Sequence, residues 1–152
     1  MIREIILDTE TTGLNPFDGH KIIEIAAIEL IDYIRTEKSF HCFINPERDI
    51  PEASQKIHNI SYEMVKEKPL FKDVIQDFLN FIKKDNLIIH NAEFDLKFLN
   101  YELSFCGINN LQNKVIDTLT VARSKYPGSS VSLDSLCKRF DIDTNERKEK
   151  GH

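Results

Sequence analysis

No apolar run in this sequence approaches the ~20 residues that a membrane-spanning helix requires, and the N-terminus lacks the zones of a secretory signal. The cytoplasm is therefore the expected compartment, with no membrane partner. Cysteine is scarce: Cys42, Cys106 and Cys137 are odd in number and form no C-x-x-C pair, so neither a disulfide framework nor a zinc site is suggested. Positive charge is short as well. With 20 Lys and Arg against 25 Asp and Glu, the net charge of −5 is too acidic for a surface that grips nucleic acid by charge alone, so such a partner has to be held locally. Internal repeats and interdomain linkers are absent too. At 41% apolar and 30% charged residues, the 152 residues have the composition of a globule and form a single domain, 1–152, able to bury roughly 70% of its unfolded surface.

The elements follow the order of an α/β domain. Arg3 to Leu7 is an apolar strand, and Lys21 to Leu30 and Ser39 to Ile44 are two further strands around a polar turn near Arg35 to Lys38, which predicts a three-strand antiparallel meander. Asn45-Pro46, Ile50-Pro51 and Lys68-Pro69 punctuate a loop-rich stretch with a short helix starting at Ser61. Val74, Ile75, Phe78, Leu79 and Ile82 fall at helical spacing as a core stripe, ended by Asp85-Asn86, and Leu87-Ile88-Ile89 is a short buried strand. Asn91 is the expected N-cap of a helix from Ala92 to about Phe105, closed at Gly107. A strand at Val115-Ile116 follows, then a helix capped by Asp117 or Thr118 and broken by Pro127-Gly128. The last helix is expected from Ser132 to Phe140.

The chemistry concentrates where the first strand ends, at Leu7-Asp8-Thr9-Glu10-Thr11-Thr12-Gly13. Side chains alternate along a strand, so Asp8 and Glu10 share a face and Thr9 points away. Two adjacent anions at a buried strand end need a shared proton or a cation, and a hard divalent metal suits carboxylate oxygens. A second constellation, Ile89-His90-Asn91-Ala92-Glu93-Phe94-Asp95, places Asp95 in the first turns of a helix that leaves another strand. Strand ends and helix starts gather at one edge of an α/β sheet, which lets Asp95 approach Asp8 and Glu10. Alone, Asp95 is an ordinary exposed helix residue, Asp117 a helix cap, and His58 and His90 ordinary hydrogen-bonded histidines. His20 and His41 are structural.

These segments, with Gly19 to Ile25, Ile57-His58-Asn59-Ile60, Asp117-Thr118-Leu119, Ala122-Arg123 and Ser132 to Cys137, occur in order over nearly the whole chain. Together they resemble the DEDDh group of 3′-5′ exonucleases, in its proofreading branch of bacterial DNA polymerase III epsilon subunits. The resemblance implies a ribonuclease H-like fold, a mixed sheet flanked by helices. It also implies two-metal hydrolysis of the 3′-terminal phosphodiester of single-stranded or frayed DNA, releasing nucleoside 5′-monophosphates. By the same resemblance Asp8, Glu10 and Asp95 are ligands of two divalent ions, Mg²⁺ or Mn²⁺, roughly 3.5–4 Å apart. His152 matches the catalytic base, and its ordinary pKa near ~6.5 suits that task. Asp8, Glu10, His58, His90, Asn91 and Glu52, the acid preceding His58, contact the terminal nucleotide.

In the family pattern a fourth aspartate follows the histidine by five residues, so the expectation is a domain cut within its last active-site motif, with weak metal binding. The implied partners are the polymerase catalytic subunit, through a segment beyond this chain, and a small accessory subunit. Two other readings remain: an exonuclease of RNA 3′ ends of the oligoribonuclease or ribonuclease T kind, and a non-catalytic interaction module. The presence of Asp8, Glu10, Asp95 and His152 disfavours the module.

Overall fold

The structure is a computed structural model and describes residues 1–125; the expected helix from Ser132 to Phe140, Cys137 and His152 lie outside the described residues. Five strands form one mixed sheet in the order β3-β2-β1-β4-β5. The strands are β1 (Arg3–Thr11), β2 (Ile22–Ile31), β3 (Ile34–Phe43), β4 (Asn86–Ile89) and β5 (Val115–Asp117), and the helices are α1 (Glu52–His58), α2 (Tyr62–Val65), α3 (Phe71–Ile82), α4 (Ala92–Phe105) and α5 (Thr118–Lys125). The first three strands are the expected antiparallel meander, and β4 and β5 run parallel to β1. Parallel strands end at the same edge. The C-terminal ends of β1, β4 and β5 therefore lie together, beside the start of β2 and the end of β3.

One face of the sheet carries the core. Ile5 and Leu7 of β1, Ile25 and Ala27 of β2 and Leu87 and Ile89 of β4 pack against Phe71, Ile75, Phe78 and Ile82 of α3 and Phe98, Leu99 and Leu103 of α4. The stripe expected from Val74 to Ile82 thus lies on α3, and full burial of Phe78 or Phe98 contributes about 1.5–3 kcal/mol each. A smaller cluster of Ile23, Ile50, Ile60 and Val65 with Phe43 seats α1 and α2 beside β2.

Two sequence expectations are corrected. The β2–β3 turn is not near Arg35 to Lys38 but at Asp32 and Tyr33, both at positive φ (48° and 71°), while Arg35 to Lys38 belong to an exposed edge strand whose polarity imitates a turn. The stretch after Pro51, expected to be loop, forms α1; its only buried residue is His58, so no apolar stripe announced it. Asn91 occupies the N-cap position of α4, as expected, in the left-handed conformation, φ 59°; its side chain makes no capping bond, and Asp117 supplies that acceptor. Gly107 follows the C-terminus of α4 at φ 71°, where a residue without Cβ is favoured, as expected.

Candidate active site at the sheet edge

The end of β1 is held from three sides. Thr12 Oγ1 accepts from the Lys21 N–H at 3.0 Å and pairs with His20 Nδ1 at 2.9 Å, which closes the loop between β1 and β2. Ser54 Oγ of α1 donates to the Thr12 carbonyl at 2.7 Å. The ring of His58, only 2% exposed, spans two backbone groups: Nδ1 accepts from Ile60 N–H and Nε2 donates to the Thr11 carbonyl, each at 3.1 Å. Burial lowers its pKa, so the ring stays neutral as the bonding pattern requires. His58 therefore has a structural task at the rim of the site.

Asp8 and Glu10 occupy alternate, half-buried positions of β1, as the strand period predicts. Asp95, 4% exposed in the first turns of α4, is brought to the same strand by Thr9, whose backbone N–H donates to Asp95 Oδ1 at 3.2 Å and whose hydroxyl donates to the same oxygen. Thr9 thus fixes the Asp95 carboxylate against β1, beside the strand positions of Asp8 and Glu10. Its opposite parity in the D-x-E triplet was the signal available for that role. Burial, opposed by the Thr9 bond and reinforced by the charge of Asp8, pushes the Asp95 carboxyl up to about 7.

Glu24 lies in the Gly19 to Ile25 segment, at the start of β2. It pairs with Glu10 across β1 and β2, is 1% exposed, and contacts His41 Nε2 at 2.6 Å. Burial, with the charge of Asp8, raises Glu24 to about 8, while burial lowers His41. A lone acid inside the apolar run Ile22 to Ile28 was the sequence signal for it.

The end of β4 brings His90 and Asn91 to this edge. His90 Nδ1 pairs with Thr118 Oγ1 at 2.9 Å, and its Nε2 is buried with no hydrogen-bond partner among the described residues. Asn91 is exposed beside it. Asp117 accepts from Asn91 N–H and Ala92 N–H at 3.0 Å each and from Leu119 N–H at 2.9 Å, so one carboxylate caps the starts of both α4 and α5. Its expected role as a cap is present and extends to a second helix. Glu52 is solvent-exposed on the first turn of α1, 3.6 Å from Lys56. His152 lies outside the described residues.

The donor set is all carboxylate oxygen, and the anions sit near enough for the charge of Asp8 to disfavour ionisation of Asp95 and Glu24. A divalent cation relieves that repulsion, so the donors suit Mg²⁺ or Mn²⁺ in kind. Among the described residues, no three His, Cys, Asp or Glu side chains are gathered closely enough to hold an ion by themselves.

Comparison with known proteins agrees with this geometry. The family described as Exonuclease matches residues 5–152. DNA polymerase III subunit epsilon of Rickettsia typhi is 56% identical over 151 residues, covering 97% of this chain and 66% of that one. The chain thus spans about two thirds of the length of the curated relatives it matches. Exonuclease X, solved in complex with 5′ overhanging duplex DNA, has a TM-score of 0.73 at 28% identity, covering 93% of this chain and 75% of that one. Exonuclease I shares the fold with a TM-score of 0.86 at 16% identity, covering 98% of this chain and 38% of that one. The mixed ribonuclease H-like sheet and the match over residues 5–152 agree: the chain belongs to the exonuclease family.

Proposed function

We propose that this chain is a proofreading 3′-5′ DNA exonuclease domain that releases nucleoside 5′-monophosphates one at a time from single-stranded or frayed 3′ ends. The observation that carries the reading is the pairing of Asp8 and Glu10 on β1 with Asp95, which Thr9 draws onto the same strand, in a chain of the exonuclease family. The names of the epsilon relatives and the DNA bound to Exonuclease X support DNA as substrate and the polymerase catalytic subunit as partner. The polymerase contact is assigned to sequence beyond these 152 residues, and a small accessory subunit to the domain itself. No described helix is long and apolar enough to cross a membrane.

Asp8, Glu10 and Asp95 would hold two divalent ions, Mg²⁺ or Mn²⁺, which supply positive charge to the scissile phosphate. Water attacks phosphorus in line, the P–O3′ bond breaks, and the released 3′-oxygen takes a proton. An imidazole nitrogen of His152 accepts the proton of the attacking water. His90, with its orphaned buried Nε2, Asn91, Glu52 and the His58 ring define the pocket of the terminal nucleotide.

The test is competing digestion of matched DNA and RNA oligonucleotides by the full chain with Mg²⁺ or Mn²⁺. DNA should be consumed first from its 3′ end, with 5′-mononucleotides as products, and EDTA should stop the reaction. Preferential loss of RNA, or digestion that survives EDTA, overturns the assignment. Asp8→Ala should abolish hydrolysis and leave the metal-free melting temperature equal or higher, because one of three mutually repelling carboxylates is gone. A large loss of metal-free stability would count against a catalytic role.

A further inference from the structure

The outer face of α4 carries a feature that the carboxylate site does not use. Phe17, on the single 3₁₀ turn Pro16–Asp18, meets Tyr101 edge to face with ring centroids 4.9 Å apart, and Tyr101 meets Phe105 in the same way at 5.0 Å. A lysine stands over each terminal ring: Lys97 Nζ lies 5.1 Å from the centre of Phe17 and Lys21 Nζ 5.2 Å from that of Phe105. Phe17 is 63% exposed and Phe105 68%, although nothing in the fold requires large aromatic rings in water. Lys97, Tyr101 and Phe105 repeat every fourth residue, so the row runs along the helix axis.

The row runs along the outer face of the helix whose inner face carries Asp95. Lys97 follows Asp95 by two residues, and Phe105 lies ten residues beyond Asp95, about 15 Å along the helix. That length matches roughly four nucleotides at the ~3.4 Å spacing of a strand. Exposed aromatic rings flanked by cations are the chemistry that holds single-stranded nucleic acid without regard to sequence: bases stack on ring faces once the flanking ammonium groups swing out to meet phosphates. The net charge of −5 leaves little non-specific affinity elsewhere, so a local platform is what an acidic protein of this kind needs. Beyond Phe105 the surface opens into a cavity of about 270 Å³ to which Lys21, Lys72 and Phe105 contribute.

We infer that the Lys97–Phe17–Tyr101–Phe105–Lys21 row is a stacking platform for the single strand leading to the 3′ end, engaging about four nucleotides upstream of the hydrolysed one. The inference rests on the exonuclease reading for its direction, but its binding test does not. Anisotropy of fluorescein-labelled dT16 with the full chain in EDTA separates binding from hydrolysis. Phe17→Ala combined with Phe105→Ala should weaken binding about tenfold or more, Phe17→Tyr with Phe105→Tyr should restore it, and Lys97→Gln should flatten the salt dependence.

With metal present, the ratio of kcat/KM on dT16 to that on a dinucleotide should fall in the double Ala variant by a similar factor. A purely structural role would lower both substrates alike. Unchanged dT16 affinity in a folded double Ala variant overturns the platform and assigns the row to a protein partner; equal losses on both substrates overturn it in favour of packing. If the parent chain binds dT16 through these rings yet hydrolyses neither substrate with metal, the platform stands and the exonuclease reading fails.

Discussion

At the scale of single residues, the site depends on small groups as much as on its acids. Gly13 follows the two threonines at the end of β1, and a Cβ built on it would lie 2.4 Å from the atoms of the His20 ring. The ring lies against the glycine because Thr12 Oγ1 holds its Nδ1. Gly13→Ala must therefore push His20 out of its bond and loosen the Thr12–Lys21 closure that fixes the end of β1. Overpacking of this kind costs about 1–3 kcal/mol, and the displaced strand end carries Glu10. The expected outcome is a lower melting temperature with a larger fractional loss of hydrolysis, while His20→Ala added to Gly13→Ala recovers most of the stability. A double-mutant cycle reads that coupling directly; additive losses would show that the ring and the glycine do not compete for space.

At the scale of elements, one carboxylate joins two helices. Asp117 satisfies three backbone N–H groups at the starts of α4 and α5, and Asp117→Ala removes all three acceptors. Caps contribute about 0.5–2 kcal/mol each, so a loss of about 2–3 kcal/mol is expected by chemical denaturation. Because Ala92 starts the helix that carries Asp95, activity should fall even at temperatures where the variant is fully folded. A hairpin offers the opposite sign. Tyr33 sits at φ 71° and is 76% exposed, so Tyr33→Gly relieves left-handed strain while giving up little packing, and a gain of about 0.5–1 kcal/mol is expected. Any loss of stability would mean that the tyrosine ring has packing that its exposure conceals.

The same elements show what could be read from sequence. The meander, α3, α4, β4 and β5 announced themselves because apolar residues recur at strand or helix period where they meet the core. The D-x-E parity of β1 placed Asp8 and Glu10 correctly on alternate positions. The turn at Asp32-Tyr33 was hidden because tyrosine is a poor left-handed residue, and α1 because it buries little beyond His58. The capping of α4 by Asp117 joins residues about 25 apart and follows only from parallel pairing of β4 and β5. Glu24 was visible only as a lone acid in an apolar run; its meaning comes from its register opposite Glu10.

At the scale of the whole molecule, the buried carboxyls make stability depend on pH in a way that metal should reverse. Burial raises Asp95 and Glu102 to about 7 and Glu24 to about 8, above the ordinary ~4 of unfolded chains. The native state therefore binds more protons than the unfolded one up to those values, and stability must fall as pH rises through them. His41 and His58 have lowered values, which act oppositely but only below the ordinary ~6.5 of histidine. Between pH ~6.5 and ~8 the carboxyl contribution dominates, worth a few kcal/mol at most, and the Cys42 thiol, pushed up to about 11 by burial, acts in the same direction only above its ordinary ~8.5. In EDTA the melting temperature should drop steadily across that window. Binding of Mn²⁺ requires the ionised carboxylates, so it should raise the melting temperature more at pH ~8.5 than at pH ~6.5 and flatten the profile. Asp95→Asn should weaken both the EDTA slope and the response to Mn²⁺, because it removes one of the buried protons and one of the ligands together. A profile in EDTA that stays level or rises over this window would mean that these acids are ionised in the folded protein without help. The repulsion on which the metal assignment partly rests would then be absent.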